Sequence, residues 1–337
     1  MEVNKIICGD ALEILKTLPD NSIQCCVTSP PYYGLRDYGH DKQIGLEGSI
    51  SEYLKNLINV FSEVKRVLKP NGILWVNISD SYSGSTKGAA RYPDNAKLYL
   101  QGTNKGGCGV PKITNIKSNL PKKNLMLIPQ RFVIAMQDAG WIVRDEIIWA
   151  KPNPMPESVK DRLTASYERI YMFAKNGKYY FDANVAMEPA VGFNNEPIAG
   201  SEGAFGSAQS RRRKGNRKTF RGTYINHVAY DNDGNMLADS IGNMPNESGM
   251  RKMRNVWNIA TVNKSTNKIK HYAKFPDELA KRCILLSSQE NDVVLDPFAG
   301  SGTACRIANQ YGRKYIGIEI NKKYCKAAEA DIPINLF

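Results

Sequence analysis

Histidine is almost missing from this chain: His40, His227 and His271 are the only three in 337 residues. So sparse a supply of imidazole speaks against a zinc site, and no metal ligands are assigned; a His-based general base is equally disfavoured. The seven cysteines (Cys8, Cys25, Cys26, Cys108, Cys283, Cys305 and Cys325) form no C-x-x-C pair. Most sit in apolar contexts and read as reduced core residues. No apolar run approaches the length that spans a bilayer. The opening MEVNKIICGDALEIL has no basic region leading into an apolar core and a small-residue cleavage site, so a cytoplasmic protein is expected. The G-x-G-x-x-G spacing of nicotinamide enzymes and the terminal G-K-[ST] of a P-loop are also missing, and no internal repeat is evident.

Acidic residues are in deficit. Lys and Arg number 46 against 33 Asp and Glu, a formal charge of +13, with a pI near 9.3. That balance favours a polyanionic partner, although charge speaks to association rather than to fold. With 42% hydrophobic residues and a mean hydropathy of −0.42, the chain reads as a soluble globular protein. Its length suits one large α/β domain with an insertion, or two domains.

What is present is a run of alternating strands and helices. Lys5–Gly9 is a short apolar strand, Ala11–Leu18 a helix with Leu12, Leu15 and Leu18 at helical spacing, and Ile23 opens another strand. Asp10 lies just past the first strand, where a helix N-cap is the alternative to a ligand-binding role. Ser51–Leu68 is amphipathic, stops at Lys69-Pro70-Asn71-Gly72 as a turn, and leads to the strand Ile73–Ile78. A helix over Leu125–Ala139 and strands over Trp141–Trp149 and Tyr167–Ala174 follow. Phe275–Ser287 is a helix entered through Pro276; Val293–Asp296, Ala304–Tyr311 and Tyr315–Ile320 form a second βαβ element. The expected fold is α/β, a Rossmann-like and mostly parallel sheet with helices on both faces.

Two stretches break this pattern. Residues 83–123 are rich in Gly, Asn, Ser and Lys, a loop long enough to be functional or disordered. Residues 192–254 carry Arg211, Arg212, Arg213, Lys214, Arg217, Lys218 and Arg221, interleaved with Phe220, Tyr224 and Tyr230. A solvated basic loop and a nucleic-acid-reading insertion both fit that composition.

Chemistry concentrates at two strand ends. In Ile23–Tyr33 (IQCCVTSPPYY) an apolar strand runs into Pro30 and Pro31, which lack an N–H and fix φ, so the chain must leave the sheet as a stiff loop. The Ser29 hydroxyl, two locked carbonyls and the Tyr32 ring then stand at a strand's carboxyl end, where open α/β sheets bind ligands. Near the other terminus, D-P-F-A-G-S-G-T is a glycine-rich strand-to-helix loop. Gly300 and Gly302 permit close backbone approach, and Glu319 closes the next strand, where it could accept both ribose hydroxyls of an adenosine moiety.

Together, T-S-P-P-Y and D-P-F-A-G-S-G-T resemble the amino-group DNA methyltransferases of the β arrangement, in which the catalytic half precedes the target-recognition region and the S-adenosylmethionine loop comes last. G-D-A-L-E-I-L-K-T-L-P-D-N-S at 9–22, W-A-K-P-N-P-M-P-E-S-V-K-D-R at 149–162 and H-Y-A-K-F-P-D-E-L at 271–279 look like further blocks of that family in family order. The resemblance implies a permuted motif order: a catalytic half over 1–184, a target-recognition insertion over 185–265 and a cofactor-binding half over 266–337. It implies catalysis by Ser29, Pro30, Pro31 and Tyr32. S-adenosylmethionine would be held by Asp296, Phe298, Gly300, Ser301, Gly302, Thr303 and Glu319, with Asp10 and Phe275 nearby; ordinary core packing is the alternative for both phenylalanines.

The implied chemistry is coherent. An exocyclic amine is a poor nucleophile because its lone pair is delocalised into the ring. The Ser29 hydroxyl and Pro30 carbonyl, as acceptors for its hydrogens, would favour the pyramidal nitrogen. Tyr32 would stack on a base flipped from double-stranded DNA. Cys25 and Cys26 read as strand filler, since C5-cytosine chemistry uses a Pro-Cys nucleophile and neither follows proline. A serine before Pro-Pro is typical of N4-cytosine enzymes in this family and aspartate of N6-adenine enzymes, so N4-cytosine is the expected target and adenine N6 the alternative. A non-catalytic nucleic-acid-binding protein on the same fold is a more distant alternative. A homodimer and a cognate restriction endonuclease are compatible with this reading.

Overall fold

The first two turns from strand to helix are each closed by a local polar cap. β1 (Lys5–Cys8) ends at Asp10, whose carboxylate accepts the Glu13 N–H at 3.1 Å and opens α1 (Ala11–Thr17). β2 (Ile23–Thr28) is buried at all six positions, as a strand covered on both faces must be. Ser49 caps α2 (Ile50–Val67) through Glu52 N–H at 3.1 Å. Tyr53, Leu57, Val60, Phe61, Val64 and Val67 form its buried stripe. The structure is a computed structural model that describes residues 1–35, 40–84, 118–157, 159–189, 250–261 and 275–333.

Two boundaries differ from the sequence expectation by more than two residues. α2 does stop at Val67, but Lys69–Gly72 forms no free turn: β3 (Leu68–Ile78) starts at once. Ile23 pairs with Leu68 and Cys25 with Ile73, so the Lys-Pro-Asn-Gly segment is absorbed as an irregularity in the ladder, a position that tolerates Pro70. α3 (Ile128–Asp138) begins later than Leu125 because Leu125 bridges Tyr82, Met126 N–H bonds the Ser81 carbonyl and Leu127 is left-handed at φ 56. Asp80 caps it from a distance, accepting the Ile128 N–H at 3.1 Å.

β4 (Ile142–Ala150) and β5 (Tyr167–Ala174) form an antiparallel pair. β6 (Met187–Pro189), β7 (Met250–Lys252) and β8 (Val256–Asn258) are three-residue strands, too short for any periodicity to announce them. α4 (Asp277–Ser287), β9 (Val293–Asp296), α5 (Thr303–Gln310) and β10 (Lys314–Glu319) follow the expected order. A final helix, α6 (Lys322–Asp331), lies beyond the elements the sequence pattern marks; it buries only Cys325 and Ala328, so it shows no apolar stripe.

The chain divides into two units: Met1–Val185 with Asn255–Phe337, and Ala186–Arg254. In the second, the described residues are the antiparallel pair β6 and β7, across which Arg251 meets Glu188 at 3.0 Å. The first holds an eight-stranded sheet in the order β1-β10-β9-β2-β3-β5-β4-β8. Every neighbouring pair is parallel except those of β5 with β3 and with β4.

This order positions the site. From β2 the chain crosses through α2 to β3 on one side; from β9 it crosses through α5 to β10 on the other. The direction of winding therefore reverses between β9 and β2, and the crevice at their carboxyl ends is where such sheets take ligands. Right-handed crossovers in opposite directions put their helices on opposite faces: α2 packs with α1 and α3, and α4 with α5. Beneath the α2 face lies an aromatic core, with Phe61 against Phe132 at 5.4 Å and Phe132 against Phe173 at 6.1 Å.

Candidate active site

The loop after β2 leaves the sheet stiffly, as the proline pair demands, and its carbonyls are sorted by their partners. Tyr53 donates its hydroxyl to the Pro31 carbonyl at 2.9 Å, and Leu35 N–H reaches the Tyr32 carbonyl at 3.2 Å. Among the described residues nothing donates to the Pro30 carbonyl, which stays available as an acceptor. Ser29 is partly buried and donates its hydroxyl to Tyr32 Oη at 3.3 Å. Tyr32 Oη faces Glu168 Oε2 at 2.6 Å and Asn77 Oδ1 at 3.1 Å. Burial and the neighbouring Glu168 carboxylate push the Tyr32 phenol well above its ordinary pKa.

β9 delivers the second half of the site beside the first, because Cys25 pairs with Val294 and Cys26 with Leu295. Asp296 is buried, accepting the Thr28 hydroxyl at 2.6 Å and the Phe298 N–H at 3.1 Å. Burial outweighs those bonds and pushes its carboxyl up to about 7. Gly300 and Gly302 both have positive φ, 53° and 75°, in the turn that opens α5, whose first N–H groups have no side-chain cap. Ser301 Oγ lies 3.4 Å from Thr303 Oγ1 at that helix start.

Glu319, at the end of β10, is 8% exposed and raised in pKa by burial. One of its oxygens takes the Gly300 N–H at 2.9 Å and the other the Asn321 N–H at 2.8 Å. β1 lies alongside, with Cys8 opposite Glu319 and Gly9 N–H on the Glu319 carbonyl, which sets Asp10 at the same sheet edge. Its carboxylate serves as the cap of α1. Phe298 packs against Phe61 at 6.4 Å, edge to face, and Phe275 is buried at the entry to α4.

These residues fit an adenosyl ligand. Glycines at left-handed φ turn the backbone tightly and add no Cβ at two positions of the loop. The buried Glu319 carboxylate keeps lone pairs for a vicinal diol after its two backbone bonds, and an uncapped helix start offers N–H donors.

Sequence reading missed three polar residues at the site. Asn77 lies near the end of β3, Glu168 at the start of β5, and Lys151 follows β4; the Lys151 ammonium bonds Glu168 Oε1. The signal for Glu168 is a lone acid, next to Arg169, opening a strand that is otherwise aromatic and apolar, and Lys151 lies inside the 149–162 block. The basic residues Arg211, Arg212, Arg213, Lys214, Arg217, Lys218 and Arg221 lie outside the described residues, as do residues 85–117 of the basic loop and 271–274 of the last block.

The chain is similar along nearly its whole length to known DNA-modifying proteins. The type II methyltransferase M.Cfr9I of Citrobacter freundii is 37% identical over 97% of this chain and 85% of its own. M.SmaI of Serratia marcescens is 35% identical over 97% and 90%. Among solved structures, the cytosine-N4-specific PvuII DNA methyltransferase shares the fold at a TM-score of 0.59 and 19% identity, covering 100% of this chain and 89% of that one. A putative DNA modification methylase of Thermus thermophilus, solved with S-adenosyl-L-methionine, shares it at 0.52 and 22%, over 98% and 95%. The DNA methylase family model matches residues 23–330, and this chain belongs to that family.

Proposed function

We propose that this enzyme methylates the exocyclic N4 amine of a cytosine flipped out of double-stranded DNA. It is an S-adenosylmethionine-dependent DNA methyltransferase acting on an amino group within a specific site. The observation that supports cytosine is Ser29, a neutral hydroxyl where the adenine enzymes of this family typically carry aspartate.

The cofactor, when bound, supplies an electrophilic sulfonium methyl. Glu319 would hold its ribose hydroxyls, with Gly300, Ser301, Gly302 and Thr303 along its length, Asp296 and Phe298 beside them and Asp10 and Phe275 at the margin. Ser29 Oγ and the Pro30 carbonyl, to which no described residue donates, accept the amine hydrogens, and Pro31 keeps the loop rigid through its bond from Tyr53. Holding the amine pyramidal restores nucleophilicity to the nitrogen without a covalent intermediate. The Tyr32 ring provides the stacking surface for the flipped base.

The separation of Ala186–Arg254 as its own unit supports a target-recognition insertion, in which Arg211–Lys214, Arg217, Lys218 and Arg221 meet phosphates or bases. Among the described residues no helix is long and apolar enough to cross a membrane, and DNA as substrate fits a cytoplasmic enzyme.

Digestion of methylated DNA to nucleosides followed by mass spectrometry tests the target base. N4-methylcytosine is the expected product; N6-methyladenine would transfer the same mechanism to adenine. Ser29→Ala should lower single-turnover methyl transfer by about 100-fold with cofactor affinity unchanged.

A further inference from the structure

We propose that Glu168 is a positioning residue for methyl transfer. Anchored by Lys151, it accepts the Tyr32 O–H, so that Ser29 donates to Tyr32 and turns its lone pairs toward the substrate amine. The inference rests on Ser29 as the amine acceptor.

The argument starts from proton supply. A tyrosine hydroxyl has one hydrogen to give, and Tyr32 Oη has two acceptors in reach. The charged one, Glu168 Oε2 at 2.6 Å, is nearer than the neutral Asn77 Oδ1 at 3.1 Å, and charge-assisted bonds are the shorter and stronger kind. Turning the Asn77 amide to present nitrogen instead would set Oδ1 against the Arg169 carbonyl, to which Nδ2 donates at 3.3 Å, acceptor against acceptor. With its one O–H donated to Glu168, Tyr32 Oη is left as an acceptor for Ser29 at 3.3 Å. The serine proton is thereby parked away from the substrate. Were the chain reversed, Ser29 would point its O–H at an amine whose lone pair is delocalised, and donor would meet donor.

The sheet holds this chain in place. Trp149 pairs with Glu168 and Ala150 with Tyr167, and Lys151 N–H bonds the Ser166 carbonyl at 2.8 Å where the two strands part. The Lys151 ammonium lies 4.6 Å from the centre of the Trp149 ring and bonds the second Glu168 oxygen. The two side chains are 18% and 13% exposed. So desolvated an ion pair is a poor device for stability alone, since apolar replacements of such pairs are often neutral or better. Its value here is to fix one carboxylate oxygen against Tyr32.

The test uses the full-length protein with Tyr32→Phe, Glu168→Gln and the double variant, measured by single-turnover methyl transfer at saturating DNA and cofactor. Affinities for S-adenosylmethionine by calorimetry and for DNA by fluorescence anisotropy, and thermal stability, are read alongside. Tyr32→Phe keeps the ring that stacks and removes only the hydroxyl. Each single change should lower the rate about 10- to 100-fold with both affinities within about threefold, and the double variant should be no slower than the slower single. A rate within about threefold of the parent in either single variant overturns the proposal. So does a double variant whose loss is the product of the two, or a loss confined to DNA affinity. Should Glu168→Gln fail to fold with Lys151 unpaired, Tyr32→Phe leaves the ion pair intact and decides alone. Ser29→Ala separates the two levels: activity in that variant defeats the reading of Ser29 itself, whereas an inactive Ser29→Ala beside an active Tyr32→Phe defeats only the role of Glu168.

Discussion

Thr28 donates its hydroxyl to Asp296 at 2.6 Å, joining residues 268 positions apart in the chain. Thr28 closes the strand that feeds the proline loop proposed as catalytic, and Asp296 closes the strand that feeds the glycine-rich loop. One buried bond therefore ties together the two halves of the proposed active site, at the point where the sheet reverses its winding.

Thr28→Val removes that bond while keeping the side-chain shape. It leaves the buried Asp296 with Phe298 N–H as its remaining described donor. A hydrogen bond to a carboxylate contributes about 1.5–3 kcal/mol, so equilibrium urea unfolding should show a loss of that size. An unchanged unfolding midpoint would mean that the bond does not join the two loops.

Asp296→Asn tests the electrostatics of the same pair. Burial raises the Asp296 carboxyl from 3.8 to about 7 in the folded protein. The folded state therefore binds a proton that the unfolded state has released, and the stability from this group is complete below pH 3.8 and lost as pH rises to about 7. At about 1.4 kcal/mol per pH unit the whole window amounts to roughly 4 kcal/mol. Asparagine can accept the same two bonds without titrating. Without cofactor, thermal melts of Asp296→Asn should gain on the parent steadily between pH 5 and 7; parallel curves would contradict the raised carboxyl.

Gly302→Ala places a side chain where φ is +75° and where a Cβ would lie 3.0 Å from the Ala328 Cβ of α6. A left-handed alanine costs about 1–2 kcal/mol before any crowding. Lower thermal stability and weaker S-adenosylmethionine binding by calorimetry are expected together, since the same turn opens α5. Full cofactor affinity in a destabilised variant would remove this glycine from the binding loop.

Thiol chemistry offers a separate check. Cys25, Cys26, Cys283, Cys305 and Cys325 are buried and their thiols are shifted upward chiefly by burial, Cys25 to about 12; Cys8 is exposed. Native labelling with a thiol reagent, mapped by peptide mass spectrometry, should mark Cys8 and spare those five. Rapid labelling of Cys25 or Cys26 would show that the β2 strand is open to solvent, against its role as core.

Most elements were legible because their signals are local. The apolar run ending in Pro30-Pro31 could only be a strand leaving its sheet, and Gly300 and Gly302 marked a tight turn into a helix. The misses have equally local causes. Lys69–Gly72 looks like a turn in any context, and only its neighbour β2 shows it to be a bulged strand. Leu125–Leu127 has helical composition but is taken by Tyr82 and Ser81. α6 and the three-residue strands carry too few buried residues to show a period.

By itself, the sequence determined which residues carry the groups proposed to activate an amine and to cradle an adenosyl group. Hydroxyl, proline carbonyl, glycine φ and carboxylate are properties of single residues and their immediate neighbours. Only the tertiary structure decided that these groups face one another, because Cys25 pairs with Val294 across the length of the chain. It alone decided the direction of the Ser29 hydroxyl. That direction depends on the register of β4 with β5, which brings Lys151 and Glu168 to Tyr32, and no local pattern encodes a pairing between strands.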